Sequence, residues 1–452
     1  MPDDPVVVVG AGLAGLRAVE GLLREDHPGR VLVFGDEPHP PYNRPALSKD
    51  LLDDGDVARL GYRVAEDPRV VWRTASRVAA AHLTDRTLRL EDGDAFAYTG
   101  LVIASGIRPR RLLVPGPTAG RFTVRTMDDV LAVRRALGAA SRVTVVGGGV
   151  LGCELSSTLC RLGAHVDLVL GPEPVPLRAV AGETVGTELM RRHRAEGTRV
   201  HPDESVCAYT GIGRVDGLLL SSGRHLAADL VIEAVGSVPD LGWLVGHRLD
   251  VADGVPCEAD LFVQGHPEAV ACGDVARLPD GRAEHWARAS ETGRHAGRAL
   301  ARRLRGTTPL HAFRHVPTWW SDQVGVRLHG LGRLSPTADL RVLEGSLHES
   351  AVVGYHDAEG LSGVLLIDAP GRLPHYRRLL SQQPERVASA SPASALARDE
   401  VAVPRALEPE VHRIVGVVTV GRAVGHVVGD GQRLRVHLDV ARGGRLDGPP
   451  EA

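Results

Sequence analysis

The strongest constraint on this chain is a pattern that occurs twice: apolar strand, glycine turn, helix, apolar strand. Residues 5–9, Pro-Val-Val-Val-Val, run into Gly10-Ala-Gly12-Leu-Ala-Gly15. A helical pattern then continues through Leu16, Val19, Leu22 and Leu23 to a second apolar run, Val31 to Phe34. From Arg142 the order repeats, with Val143-Thr-Val-Val, Gly147-Gly-Gly149-Val-Leu-Gly152, a helix and the strand Val166 to Leu170. In such a turn the first glycine permits the tight bend, the second lets a pyrophosphate approach the backbone, and the third lets helix and strand pack closely. The phosphates then meet the helix N-terminus, where unpaired N–H groups and the dipole favour anions. Asp36 and Glu37 lie just past the second strand, where a carboxylate can accept hydrogen bonds from an adenosine ribose. A lone G-x-G-x-x-G is a weak signal. Two copies in strand–turn–helix context imply an α/β chain with two Rossmann-like dinucleotide-binding domains.

At roughly 100–200 residues per domain, 452 residues make two to four domains. Further apolar runs, Leu101-Val-Ile-Ala-Ser-Gly and Val270-Ala-Cys-Gly-Asp, read as strands returning to the first sheet, and Glu284 to Leu304 has helical periodicity. The first dinucleotide domain is therefore expected over 1–110 and 240–308. The second is expected over 111–239, with Leu230-Val-Ile-Glu-Ala-Val-Gly as its returning strand. From about Pro309 to residue 383, alternating residues and turns predict a C-terminal α+β domain. Residues 384–452 read as an Ala/Ser/Pro-rich linker and an extension with two β-like runs, Ile414 to Val420 and Leu434 to Val440, to which no role is assigned.

Hydrophobic residues at 43% and charged residues at 24% are ordinary globular values, and no run of ~18 apolar residues appears. A net charge of −3 gives no global drive toward nucleic acid, so neither nucleic acid nor membrane is expected as a partner. The acidic start, Met-Pro-Asp-Asp-Pro, lacks the basic segment of a secretory signal, which makes the cytoplasm the expected location. The five cysteines, Cys153, Cys160, Cys207, Cys257 and Cys272, form no C-x-x-C or His-flanked zinc pattern; they read as reduced and buried, with no metal site.

Several stretches resemble a known family. They are Glu37-Pro-His-Pro-Pro-Tyr-Asn-Arg-Pro-Ala-Leu-Ser-Lys49, Ile103-Ala-Ser-Gly-Ile-Arg-Pro109, Gly273-Asp274, Glu284-His-Trp286 and Val316-Pro-Thr-Trp-Trp-Ser-Asp-Gln323. The chain is similar, in patches from Val6 to about Leu380, to the FAD-dependent, NAD(P)H-using ferredoxin reductases that serve bacterial oxygenases. The resemblance implies an FAD domain and an NAD(P) domain in the two expected dinucleotide folds. It implies hydride transfer from NAD(P)H to FAD and single-electron delivery to a ferredoxin-type iron–sulfur protein. It places Arg44 and Lys49 on the FAD, the lysine close to the isoalloxazine, Glu154 beside the nicotinamide and flavin, Asp274 on the ribityl chain and Trp320 near the flavin. Lys49 and Glu154 are thereby the expected catalytic pair. Further cofactor contacts are implied at Val78, Ser105, Gly106, Arg125, Gly236, Gly273, Glu284, His285 and Trp286, beside Gly10, Gly12, Gly15, Asp36, Glu37, Gly147, Gly149 and Gly152.

The residues agree in kind. Lys49 is the single lysine among 53 basic residues, which suggests a need for a compact ammonium. Glu154 is expected in the first turn of the second motif's helix, where the dipole favours a carboxylate. No cysteine precedes Cys153, so a thiol relay beside the flavin is not expected. One departure stands out. Where NAD-using relatives carry an acidic residue at the end of the second nucleotide strand, this chain has Leu170, then Gly171-Pro172-Glu173, with Arg178 the nearest candidate for a 2′-phosphate. NADH and NADPH both stay open, with NADH the coenzyme that the resemblance favours. So do a flavin enzyme acting directly on a small substrate or oxygen, and a redox-responsive binding flavoprotein. Two arginine clusters, Arg108, Arg110 and Arg111 and then Arg302, Arg303 and Arg305, are candidate partner surfaces.

Overall fold

The computed structural model describes residues 4–49, 52, 56–64, 66–138, 141–245, 247–382, 416–420, 423–429 and 434–439. They fall in two units, Met1–Leu396 and Ala397–Ala452.

The first sheet of the larger unit has six strands in the order Phe262–Val263, His266–Ala271, Gly100–Ile103, Val6–Val9, Val31–Phe34 and Val70–Arg73. Val6–Val9 runs parallel to both neighbours, pairing Val9 with Phe34 on one side and with Ile103 on the other. All four valines are buried, as an unbroken apolar run must be when a parallel strand is covered on both faces. Two helices, Leu13–Arg24 and Trp286–Leu304, pack on this sheet and on each other. Their crossing is close because glycines make it: a Cβ on Gly297 would fall 2.0 Å from the carbonyl oxygen of Ala18.

The second sheet repeats the plan with five parallel strands, Arg199–His201, His165–Val169, Arg142–Val146, Leu230–Glu233 and Arg121–Phe122. Val150–Arg161 follows its glycine turn as a helix. The nucleotide strand ends at Val169, one residue before the expected Leu170, and the long helix starts at Trp286, two after the expected Glu284. A ribbon of Ile107–Pro109 against Ser237–Pro239 connects the two halves.

Two small sheets were not foreseen, one mixed and one antiparallel. Val78–His82, Thr87–Leu90 and Ala95–Ala97 form one with Leu244–Val245, and Val206–Thr210, Gly217–Leu220 and His225–Ala227 form the other. Their strands are two to five residues long, too short for alternation to stand out from loop composition.

Residues 318–367 form a five-stranded antiparallel sheet, Thr318–Gln323, Val326–Gly332, Gly360–Ile367, Ala351–Asp357 and Asp339–Gly345, followed by the helix Leu373–Ser381. Trp319, Leu328, Tyr355 and Leu365 share a core with Leu155 and Leu159 of the second glycine helix and with Tyr42 and Leu47 from the segment before Lys49. This shared core brings residues far apart in sequence to one site.

The smaller unit contains a three-stranded antiparallel sheet, Gly416–Val420, Ala423–Gly429 and Leu434–Asp439. The middle strand was not among the expected runs, and the expected linker over Pro384–Pro404 lies outside the described residues.

Candidate active site

Around the first glycine turn the backbone is compressed. Gly10 has φ +114, and a Cβ there would fall 2.1 Å from the carbonyl oxygen of Ala104; a Cβ on Gly15 would fall 1.9 Å from the carbonyl oxygen of Gly10. No other residue fits either place. Gly12 caps the helix without any side-chain hydrogen bond, leaving the first amides for an external acceptor. The Arg44 guanidinium stands 4.0 Å from where a Gly12 side chain would begin, so a second positive feature faces the same spot.

Beside this turn is a cavity of about 290 Å³ whose lining includes Gly10, Asp36, Val78, Ser105 and Trp243. Four expected cofactor contacts thus share one wall, and the exposed Asp36 lines it together with two further carboxylates, Glu91 and Asp240. Glu37 does something else. Its carboxylate is engaged by the Arg44 guanidinium and by the Tyr42 hydroxyl, which donates at 2.6 Å. Arg44 donates in turn to the carbonyl of Arg125 at 2.7 Å, and Arg125 pairs with Asp274 at 3.1 Å. Gly106, with φ +77, lies 3.5 Å from the Arg125 guanidinium by the same Cβ construction, and Gly273, with φ +72, abuts Ala14 of the first helix. A polar track therefore runs from Gly12 through Arg44 and Arg125 to Asp274. An open helix N-terminus, the carboxylate of Asp36 just past the second strand and this polar track fit FAD.

Lys49 and Glu154 meet. The ammonium lies 2.9 Å from Glu154 Oε2, with the side chains 17% and 7% exposed, so the pair is shielded but reachable. Glu154 is the fifth helical residue and not in the first turn, so the helix dipole does little for it; side-chain donors hold it instead. Ser48 donates to Oε2 at 2.6 Å and Ser321 donates to Oε1 at 2.8 Å. Behind Ser321, the Gln323 amide donates to the serine oxygen at 2.9 Å and receives His193 Nε2–H at 3.1 Å. Burial lowers the His193 imidazole to about 4, so it is neutral and can carry its single proton on Nε2. Every hydrogen bond in the chain thus points toward the carboxylate.

Ser321 and Gln323 were not among the expected site residues, although their neighbour Trp320 was. A signal existed: Trp319, Ser321 and Gln323 alternate on the buried face of a strand, and two polar residues on such a face require partners. Trp320, on the other face, meets the edge of Trp286 with ring centroids 5.5 Å apart, and the Trp286 indole donates to the Tyr62 hydroxyl at 2.9 Å. His285 precedes the long helix without capping it, and burial pushes its imidazole down. Glu284 is held by Arg282 at 2.6 Å and by the Ser237 hydroxyl, next to Gly236.

The second turn is built like the first. Gly147 has φ +115, a Cβ on Gly152 would fall 1.9 Å from the carbonyl oxygen of Gly147, and Gly149 caps its helix with open space around it. Leu170 is buried, and Glu173 pairs with Arg178 at 3.2 Å.

The arginine clusters are partly committed. Arg110 donates to the Ser237 carbonyl at 3.0 Å and Arg111 lies 3.5 Å from the buried Glu233. Arg302 pairs with Glu25 at 2.8 Å, and Arg305 donates to the Glu25 carbonyl.

Residues 4–293 match the family model described as pyridine nucleotide-disulphide oxidoreductase. The chain is 31% identical over 404 residues to the ferredoxin reductase component of chlorobenzene dioxygenase from Cupriavidus sp., covering 85% of this chain and 95% of that protein. It is 30% identical to putidaredoxin reductase from Pseudomonas putida, covering 76% and 84%. Among solved structures, the ferredoxin reductase for the CYP199A2 system from Rhodopseudomonas palustris matches with a TM-score of 0.78 at 28% identity, over 87% of this chain and 97% of that one. The covalent putidaredoxin reductase–putidaredoxin complex matches with a TM-score of 0.77 at 27% identity, over 88% and 99%.

The family's description names a disulphide, but all five cysteines here are free thiols. Burial pushes Cys153 and Cys272 upward and raises Cys257 to about 12, the opposite of what a relay thiol needs. With both dinucleotide folds in place and electron delivery left to an external carrier, the chain belongs to the pyridine nucleotide-disulphide oxidoreductase family, among its ferredoxin reductases.

Proposed function

We propose that this chain takes hydride from NAD(P)H onto FAD and delivers electrons singly to a ferredoxin-type iron–sulfur protein that supplies an oxygenase. The observation that carries the reading is the Lys49–Glu154 ion pair, which joins the segment after the first ribose carboxylate to the helix of the second glycine turn. A charge pair at that junction belongs where flavin and nicotinamide meet. Bound FAD supplies the conversion between two-electron and one-electron chemistry.

The chain's own residues position and screen. The amides after Gly12, with Arg44, hold the pyrophosphate, Asp36 takes the adenosine ribose, and Asp274, aligned by Arg125, takes the ribityl chain. Glu154, gripped by Ser48 and Ser321, fixes the Lys49 ammonium beside the ring, while Trp286 and Trp320 shield the site from water. The amides after Gly149 receive the nicotinamide coenzyme's pyrophosphate. In domain terms, 1–110 and 240–308 bind FAD, 111–239 bind NAD(P) and 309–383 complete the flavin site. A cytoplasmic setting suits the free thiols. Among the described residues, no helix is long and apolar enough to cross a membrane.

The test is anaerobic reduction of the purified yellow protein by each nucleotide, followed by a small ferredoxin and cytochrome c. Fast cytochrome reduction that requires the ferredoxin is the expected result. Turnover with a small organic acceptor or oxygen alone, unchanged by ferredoxin, would select direct substrate chemistry.

A further inference from the structure

Hydrogen bonding puts the two dinucleotide folds in residue-for-residue correspondence. The Gly10 amide donates to the Phe34 carbonyl at 2.8 Å, and the Gly147 amide donates to the Val169 carbonyl at 2.8 Å. The next residues match as well: the Gly35 amide reaches Arg73 and the Leu170 amide reaches His201, each at 3.0 Å. Gly35 therefore corresponds to Leu170, and Asp36 to Gly171.

A packing exchange accompanies this correspondence. In the first fold Ala11 fills the space beside Gly35, where a Cβ would fall 2.6 Å from the alanine methyl carbon. In the second, Leu170 fills it from the opposite side, and a Cβ on Gly148, the counterpart of Ala11, would fall 2.6 Å from Leu170 Cδ2. The leucine is 4% exposed. It is a packed residue that could not be a carboxylate without partners. Gly171 has φ +73 and offers no side chain. The acceptor that Asp36 presents to its cavity thus has no counterpart at 170 or 171.

The next carboxylate, Glu173, is taken by Arg178 at 3.2 Å. The loop between them is pinned beside the glycine turn, because the Leu177 amide donates to the Gly148 carbonyl at 2.8 Å and the Glu173 carbonyl accepts the Asp203 amide at 3.0 Å. Arg178 opens the helix Arg178–Ala195 at that point, with its side chain 47% exposed. From 170 to 173, where the first fold presents Asp36, the second therefore offers no unpaired carboxylate to bind a ribose diol and repel a 2′-phosphate. It carries instead a guanidinium, whose fork suits phosphate oxygens.

We infer that the second site accepts a nicotinamide dinucleotide bearing a 2′-phosphate, with Arg178 turning from Glu173 to receive it. NADPH is then at least as good a donor as NADH. This rests on the NAD(P)H-driven flavoprotein reading, and the test separates the two.

Binding of 2′,5′-ADP and of 5′-AMP, which differ only in the 2′-phosphate, is measured by calorimetry on the FAD-loaded full chain. The expected result is 2′,5′-ADP binding about tenfold tighter or more, as a charge-assisted contact to phosphate allows. Arg178→Ala should remove most of that difference while changing 5′-AMP binding less than about threefold, and Glu173→Gln should widen it. In anaerobic flavin reduction, kcat/KM for NADPH should equal or exceed that for NADH. Equal or tighter binding of 5′-AMP, or a difference that survives Arg178→Ala, overturns the inference and leaves the flavoprotein reading intact. If neither nucleotide binds and neither coenzyme reduces the flavin, the flavoprotein reading itself fails.

Discussion

Around Gly10 and around Gly147 the backbone does the same thing. The φ angles are +114 and +115, the absent Cβ atoms would strike the carbonyls just past the returning strands, Ala104 and Ala234, at 2.1 Å and 2.2 Å, and the third glycines meet the first at 1.9 Å in both. The surroundings differ. The first turn is ringed by charge, with Arg44, Glu37, Arg125 and Asp274 linked to one another. The second has an apolar edge at Leu170 and sends its one buried helix carboxylate, Glu154, away to Lys49 of the first half. Close approach of backbone to backbone dictates the turn, so it repeats. Ligand identity is set by side chains on the rim, and these diverge freely because the turn does not depend on them.

The harshest way to break the comparison is to put a methyl group on each third glycine. At Gly15 and Gly152 the added carbon would sit 1.9 Å from a carbonyl oxygen, so the backbone must shift, and a cost above about 3 kcal/mol is expected at either site. The outcomes should nevertheless differ. Gly15→Ala should lose FAD on purification, whereas Gly152→Ala should keep flavin and lose nucleotide-driven reduction. Flavin absorbance per chain and the rate of anaerobic bleaching report the two. Equal loss of FAD in both variants would mean that the halves do not bind independently.

The next test strikes the pair that joins the halves. Lys49→Met and Glu154→Gln should each slow flavin reduction by roughly ten- to a hundredfold, the range expected for a preorganised charge beside reacting atoms. Glu154→Gln should leave FAD content unchanged. Because the groups touch at 2.9 Å, the double variant should be little worse than the poorer single one. Additive losses would mean that Lys49 and Glu154 act separately.

The repeated turn was legible in the sequence because glycine is obligatory where φ is positive and two backbones touch, and no tertiary information is needed to see it. Central strands such as Val6–Val9 and Gly100–Ile103 were legible for a similar reason: burial on both faces leaves a run of apolar residues. The small sheets were not, being only a few residues wide. The site divides the same way. Lys49 stood out as the single lysine, but its partner's placement came only from resemblance, and the expected helix-dipole support for Glu154 was mistaken by one turn. Ser48, His193 and the pair Ser321 and Gln323 converge from three separate elements, a convergence that no local pattern records. Glu37 was read as a ribose ligand by position; its partners Tyr42 and Arg44, five and seven residues on, fold back and claim it.

A finer test asks whether the donors behind Glu154 matter to the second half's chemistry. Ser321→Ala removes the donor at 2.8 Å and leaves the Gln323 amide without its acceptor. Because Ser48 and Lys49 still hold the other carboxylate oxygen, the expected loss is a few-fold, about 1 kcal/mol of positioning. It should appear in the flavin-reduction rate with nucleotide affinity unchanged, and Ser321→Thr should restore it. A change in affinity alone, or no rescue by threonine, would make Ser321 a packing residue.

The smallest effect is expected where charge seemed most exposed. Arg110 and Arg111 follow the ribbon that joins the halves, and both already have acceptors, the Ser237 carbonyl at 3.0 Å and Glu233 at 3.5 Å. Arg111→Glu would set a carboxylate against a buried one, confusing docking with stability. Arg110→Glu is cleaner, since its acceptor is a backbone carbonyl at the exposed rim. Complementary charge mainly speeds encounter, and its reach shrinks from ~30 Å at 0.01 M salt to ~3 Å at 1 M. With an acidic ferredoxin, Arg110→Glu should therefore raise the half-saturating concentration by about two- to threefold at low salt and leave it unchanged at high salt, with flavin reduction by nucleotide unaffected. A larger effect that persists in salt would show direct contact at Arg110 and place the ferredoxin on the ribbon between the halves. No effect at any salt concentration would place docking on another face.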